Sequence, residues 1–351
     1  MSRRTGIVKN NSYLQHFSGF SHPESPERLA AVYEMLDNSN MSWKYVGIEP
    51  RAASHDEIAY VHTPSYINHI AETAGKNCVF LDSDTVAGPD TYEIAKLAAG
   101  GLMNAISGVM TGEVDNAFAL VRPPGHHAGA GNSEGFCVFN NVAIGAMHAM
   151  NKHGLKKILI VDWDLHHGNG TQNIFYPDRR VLYFSTHQYP HYPGTGGLQE
   201  IGEGNALGYT VNVPLRPGAV NGTFISAFRR ILEPIAQAFE PELILISAGF
   251  DTYYQDPLGG MRVTPEGFAA MARVLLNIAD KCCAGRVVAV LEGGYHIIGL
   301  VRSVKATLEE MFDETHWTDT KLDAMEQEAD DENKPVIKSV IAGMRPYWNV
   351  F

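Results

Sequence analysis

The chain has 351 residues and a mass of 38.5 kDa, with 45% hydrophobic and 19% charged side chains, 34 Gly and 18 Pro, which excludes a disordered or fibrous protein. Its 27 Lys and Arg against 39 Asp and Glu leave a formal charge of −12, which argues against a nucleic-acid partner. The four cysteines, Cys78, Cys137, Cys282 and Cys283, form no CxxC pair, zinc-finger spacing or disulfide framework, and they read as thiols of a reducing compartment.

Along the chain, Met1-Ser-Arg-Arg-Thr5 is basic, but Gly6-Ile-Val-Lys-Asn-Asn11 follows in place of an apolar stretch, so no secretory signal is expected. No apolar run approaches the roughly 18 residues of a membrane span, and the expectation is a cytoplasmic protein without membrane contact. Helical spacing over 91–110 precedes a short apolar run at 117–121 (AFALV), and a second helix is expected over 138–153. Strands follow at 157–162, 181–185 and 211–215, then a helix over 222–239 and a strand at 243–247. Thr264-Pro265-Glu266 opens a helix over 265–283, and a strand at 287–291 leads to a helix over 297–312. Residues 309–332 are strongly acidic and read as a solvated surface segment, and 335–351 as a short helix and tail packed back on the body. Strand alternating with helix, without repeat or linker, predicts one α/β domain over 1–351, a parallel β-sheet flanked by helices.

Polar residues gather where the strands end. RPPGHHA (122–128) follows the first, DWDLHHGNG (162–170) the second, SAGFD (247–251) and EGGY (292–295) the last two. Parallel sheets bind ligands at the carboxyl ends of their strands, so these clusters can share one pocket. Asp162, Asp164 and His166 are spaced by two, which points them to one side, and Asp251 can supply a further ligand to a divalent ion. Two carboxylates and an imidazole suit Zn²⁺, Fe²⁺ or Mn²⁺ and leave a position for water. Such a water needs a base, for which His126 and His127 are candidates, with Asp162 and Asn169 as orienting partners. An Asp would keep one ring cationic, and an Asn would leave the other nearer its ordinary pKa. Tyr295, after Gly293 and Gly294, can hydrogen-bond an oxyanion.

Together with HPESPERL (22–29), GFCVFNN (135–141), YPGTGG (192–197), DPLGG (256–260) and PYW (346–348), these motifs closely resemble the zinc-dependent histone deacetylase superfamily, especially its class II and bacterial amidohydrolase branch. The resemblance implies the arginase-like α/β fold and one catalytic Zn²⁺ on Asp164, His166 and Asp251. It implies His126 and His127 as the catalytic pair, and Tyr295 as the transition-state donor. It further implies an acyl-lysine channel walled by Phe136 and Tyr192, with Gly135 beside them, Leu258 at the rim and Asp84 at the position that holds the substrate backbone. K⁺ is implied at Asp162, Asp164, His166, Ser185 and Thr186, and again near Phe175, Asp178, Val181 and Tyr209.

Asn169 stands where class I members carry Asp, as in class II, and Tyr295 is retained where some members have lost it. The resemblance therefore implies a working deacetylase of acetylated lysine side chains, with acetylpolyamines and other small acetylated amines as the alternative substrates, and a homo-oligomer left open. Two rivals make different demands. A ureohydrolase of the same fold needs two Mn²⁺ and aspartates near Gly168 and Gly249, which are glycine, and a non-catalytic acyl-lysine reader would lack a ligand, histidine or tyrosine. In polyamine-selective members an acidic residue stands where this chain has Leu258, which predicts a preference for acetyl-lysine-like amides.

Overall fold

The computed structural model describes residues 3–38, 41–314 and 317–351. Its strands are β1 (Thr5–Val8), β2 (Tyr45–Ile48), β3 (Val79–Phe80), β4 (Val86–Ala87), β5 (Asn116–Ala119), β6 (Ile158–Asp162), β7 (Val181–Gln188), β8 (Thr210–Leu215), β9 (Leu243–Ala248) and β10 (Val287–Leu291). β3 and β4 make a small antiparallel pair, and the other eight form one all-parallel sheet in the order β2-β1-β5-β10-β9-β6-β7-β8. Runs such as Ile158-Leu-Ile-Val are apolar at every position because helices cover the sheet and leave no residue of β6 exposed. The helix Thr91–Thr111 packs on β1, β5 and β10, and the helix Pro265–Cys282 on β9 and β10. This is the parallel α/β architecture expected from the sequence.

The order of the strands creates a specific crevice. From β6 the chain steps outward to β7 and β8, whereas from β9 it steps the other way to β10. The loops leaving β6 and β9 therefore diverge, and a cleft opens between two hydrogen-bonded neighbours at their carboxyl ends. DWDLHH follows β6 and SAGFD closes β9, so the chemistry-bearing residues border this cleft.

Several sequence expectations need correction. β1 and β2 carry no recognisable apolar run, since Thr5-Gly-Ile-Val is too short to stand out and β2 is only half-buried at the sheet edge. The helix expected over 222–239 is Asn221–Ala227 and Glu233–Phe239, joined by a π turn at Phe228–Leu232. Pro234 lacks the amide that an unbroken helix would require there. The acidic stretch 309–332 is more than a solvated surface. It contains the helix Asp319–Gln327, whose Leu322 is buried, and Asp323 and Glu326 pair with Arg229 at 2.6 and 2.9 Å, while Glu310 is buried against Arg273. Positions 315 and 316 of that stretch lie outside the described residues. The helix Thr91–Thr111 is long and apolar enough to cross a membrane by length and composition, contrary to the expectation, yet 67% of its most apolar stretch is buried inside the fold.

Candidate active site

Strand β6 ends at Asp162, and the chain then bends so that Asp164 and His166 face Asp251 from the end of β9. The ligand atoms of Asp164, His166 and Asp251 all lie within 4.8 Å of one another, and all three residues are buried. Backbone amides lock the carboxylates: Leu165 N donates to Asp251 Oδ1 at 2.8 Å, Gly293 N to Asp164 Oδ2 at 2.9 Å and His166 N to Asp164 Oδ1 at 2.9 Å. His166 Nδ1 sits 3.1 Å from Asp164 Oδ1 and 3.1 Å from Asp251 Oδ2. Burial opposes charge on this imidazole, but the two carboxylates hold its pKa up to about 10. Burial and the neighbouring Asp164 push the Asp251 carboxyl up to about 7. A buried set of two carboxylates and one imidazole that draws positive charge this strongly fits a small divalent cation. A side chain at Gly249 would overlap the Asp164 carboxylate, so the extra aspartate of a two-metal site has no room there.

Asp162, in line with Asp164 in the sequence, does not join this set. Its Oδ2 faces His126 Nδ1 at 3.0 Å and accepts from Tyr183 Oη at 3.1 Å. His126 and His127 follow β5, with ring centroids 4.1 Å apart. His127 Nδ1 lies 2.8 Å from Asn169 Oδ1. Burial disfavours charge on both rings, but the Asp162 and Asp164 carboxylates outweigh it at His126 and raise its pKa to about 10. At His127 burial prevails, and the charges of His126 and His166 push the same way, well below the ordinary imidazole value. One ring is therefore imidazolium and its neighbour neutral: Asp162 acts as expected, but His127 falls well below the ordinary pKa expected with its Asn partner, because burial and the two nearby imidazoles act on it.

Residues 22–311 match the histone deacetylase domain. The chain belongs to the histone deacetylase family. It is 44% identical over 297 residues to a probable deacetylase of Archaeoglobus fulgidus, a match covering 84% of this chain and 82% of the archaeal one. It is also 44% identical over 298 residues to the human polyamine deacetylase HDAC10, a match covering 82% of this chain and 44% of the human one. The crystal structure of the HDA15 HD domain superposes with a TM-score of 0.92 at 36% identity, over 99% of this chain and 97% of that domain. The fold is the arginase and deacetylase fold, and the protein is a deacetylase, a hydrolase of acetylated substrates.

The remaining positions of this deacetylase surround the cleft. The Phe136 ring packs edge-on to Tyr295 at 5.9 Å and to His22 at 4.5 Å. Tyr192 stands over His127 at 5.2 Å and His166 at 6.0 Å, so aromatic rings line the way to the ligand set. Gly135 is in the left-handed region, at φ +55°, and a Cβ there would overlap the His127 ring. Tyr295 N donates to Asp256 Oδ2 at 2.7 Å, and its ring lies under the Arg28 guanidinium at 4.8 Å. Burial raises the phenol pKa well above normal, so it stays a proton donor. The Leu258 carbonyl faces His191 Nε2 at 3.1 Å, and His191 stacks on His166 at 5.3 Å, so His191 links the Leu258 backbone to the ligand set. Asp84 lies near the same opening, where burial and Asp82 raise its pKa to about 6.

Ser185 on β7 is the register partner of Asp162, and the adjacent Thr186 hydroxyl is buried without a hydrogen-bond partner. Phe175, Asp178 and Val181 form one turn into β7, and the Tyr209 carbonyl beside it accepts from Tyr183 N at 2.9 Å. The Asp178 side chain is engaged with Arg180 at 2.6 Å.

Residues with no role assigned from the sequence complete the site. Glu24 is buried between Arg28 Nη1 at 2.9 Å and Arg122 Nε at 2.5 Å, and Arg28 also donates to the carbonyls of Gly294 at 2.6 Å and Glu292 at 2.7 Å. The motif HPESPERL thus braces the loop of Tyr295, and the Glu24/Arg28 spacing of four was the available signal. Glu292 accepts from the amides of Gly125 at 2.7 Å and His126 at 3.2 Å, fixing the histidine turn.

Proposed function

We propose that this deacetylase is zinc-dependent and removes acetyl groups from acetyl-lysine-like amides. The observation that carries the reading is the pair of adjacent imidazoles, one held by Asp162 and the other by Asn169, beside the Asp164/His166/Asp251 set. A divalent ion on those three residues would polarise the amide carbonyl and acidify a water. His127 Nε2 takes the water proton and afterwards delivers a proton to the leaving amine. His126, kept cationic by Asp162, supplies positive charge next to the developing oxyanion, and the Tyr295 hydroxyl donates to it. Phe136 and Tyr192 flank the alkyl stem and exclude water from it. Ser185, the register partner of Asp162, and the unpartnered Thr186 hydroxyl support a K⁺ held with Asp162, Asp164 and His166, and the turn of Phe175, Asp178, Val181 and Tyr209 is the second candidate for K⁺.

The test is metal content and hydrolysis measured together. One Zn²⁺ per chain is expected, lost with activity in a folded Asp251→Ala variant, and Tyr295→Phe should lower kcat by a factor of about 100 to 1,000 while changing KM less. Two transition-metal ions at full activity, or unchanged turnover in Tyr295→Phe, would refute it. A second reading, acetylpolyamines, is favoured by the likeness to a polyamine deacetylase, but Leu258 offers no counter-charge to an ammonium at the rim.

A further inference from the structure

We propose that Glu134 is a positioning residue that sets the tautomer of His127 by fixing the amide of Asn169. This rests on the reading of His127 as the base. Asn169 Nδ2 lies 3.0 Å from Glu134 Oε2, and Asn169 Oδ1 lies 2.8 Å from His127 Nδ1. A carboxylate only accepts hydrogen bonds, so the end of the amide facing Glu134 has to be the NH₂. The carbonyl end then faces His127, and because that oxygen only accepts, Nδ1 must carry the proton. Nε2 is left with its lone pair, in the state required of a base.

Without Glu134 the amide loses this discrimination. An Asn turned by 180° would offer its NH₂ to Nδ1, move the ring proton to Nε2 and leave no lone pair facing a water. The His126 ring needs no such device, since either oxygen of Asp162 can only accept. An Asn partner keeps the base neutral but is ambiguous in direction, and the half-buried Glu134 removes the ambiguity. Glu134 is itself held in place: Asn132 Nδ2 lies 3.4 Å from its Oε2, and Tyr192 Oη donates to its Oε1 at 3.5 Å. The same carboxylate thus ties the channel wall to the base.

The experiment is a mutant cycle with a spectroscopic readout. Glu134→Ala should lower kcat about tenfold with KM within about twofold, whereas Glu134→Gln, whose carbonyl can still accept from Asn169, should recover most of the rate. In an Asn169→Asp background the sign should reverse. Two carboxylates would then face each other, and adding Glu134→Ala should raise kcat. In ¹⁵N-histidine-labelled protein, the His127 signals, assigned by comparison with His127→Ala, should show a protonated Nδ1 that is lost or averaged in Glu134→Ala and kept in Glu134→Gln. Equal kcat in the Ala and Gln variants, a loss of rate from Glu134→Ala in both backgrounds, or an unchanged His127 tautomer would overturn the proposal. Full turnover in His127→Ala would instead remove the assignment of the base and leave the tautomer result standing.

Discussion

His126 and His127 are neighbours in sequence with rings 4.1 Å apart, and both are buried, yet they are held in opposite protonation states. The partner is a large part of the difference. Asp162, with Asp164 behind it, brings a charge that outweighs burial at His126, whereas at His127 Asn169 brings only a dipole, and burial prevails with the charges of His126 and His166. One site thereby holds a cationic and a neutral ring of the same residue type.

The strongest way to break this comparison is to remove each ring in turn. His127→Ala should cost about 1,000-fold in kcat/KM, since it removes proton transfer itself, and His126→Ala about 10- to 100-fold, since it removes a supporting charge. Steady-state rates on an acetyl-lysine peptide check both, and equal losses would erase the distinction.

Exchanging the partners should sharpen it. As the proposed base His127 has to be neutral, and its depressed pKa favours that state, so the rising limb of kcat/KM should lie below pH 6.5, the ordinary imidazole value. Asn169→Asp raises that pKa, so the limb should move to higher pH by about one unit. Asp162→Asn should free His126 to lose its proton and lower kcat by about tenfold without moving that limb.

The same contrast between carboxylate and neutral partner extends to the rim. Leu258→Glu should shift the ratio of kcat/KM toward acetylpolyamines by about tenfold, measured against an acetyl-lysine peptide. An unchanged ratio would place substrate choice in another loop.

The effect furthest from the reaction concerns a carboxylate fully matched by cations. Burial alone would raise the pKa of Glu24, but Arg122 and Arg28 bring it down to about 2. Its contribution to stability is complete above about pH 4.5 and lost as pH falls through 2, about 3 kcal/mol at most. Urea unfolding at pH 5 and pH 3 should show this loss in the wild type and a weaker pH dependence in Glu24→Gln.

What the sequence made legible was local. Asp164 and His166 stand two apart, the histidines are adjacent, and the buried strands before them are unbroken apolar runs. The pairing of Glu24 with Arg122, or of Glu134 with Asn169, joins residues 98 and 35 positions apart and leaves no periodic trace. β1 and β2 escaped for a different reason, being too short or too exposed for an apolar pattern to emerge. The direction of the Asn169 amide depends on a carboxylate that sequence order does not connect to it.

The strand order also bears on how the molecule comes into being. Among the described residues, β5 and β9 are joined within the sheet only through β10, the last of its strands to be synthesised. A nascent chain can pair β1, β2 and β5 as one sheet fragment and β6 to β9 as another, and both would expose unpaired apolar edges until β10 inserts between them. That closing step also delivers Glu292 beneath the histidine turn, and Tyr295 next to Phe136. The site is thus incomplete until β10 has joined the two halves of the sheet.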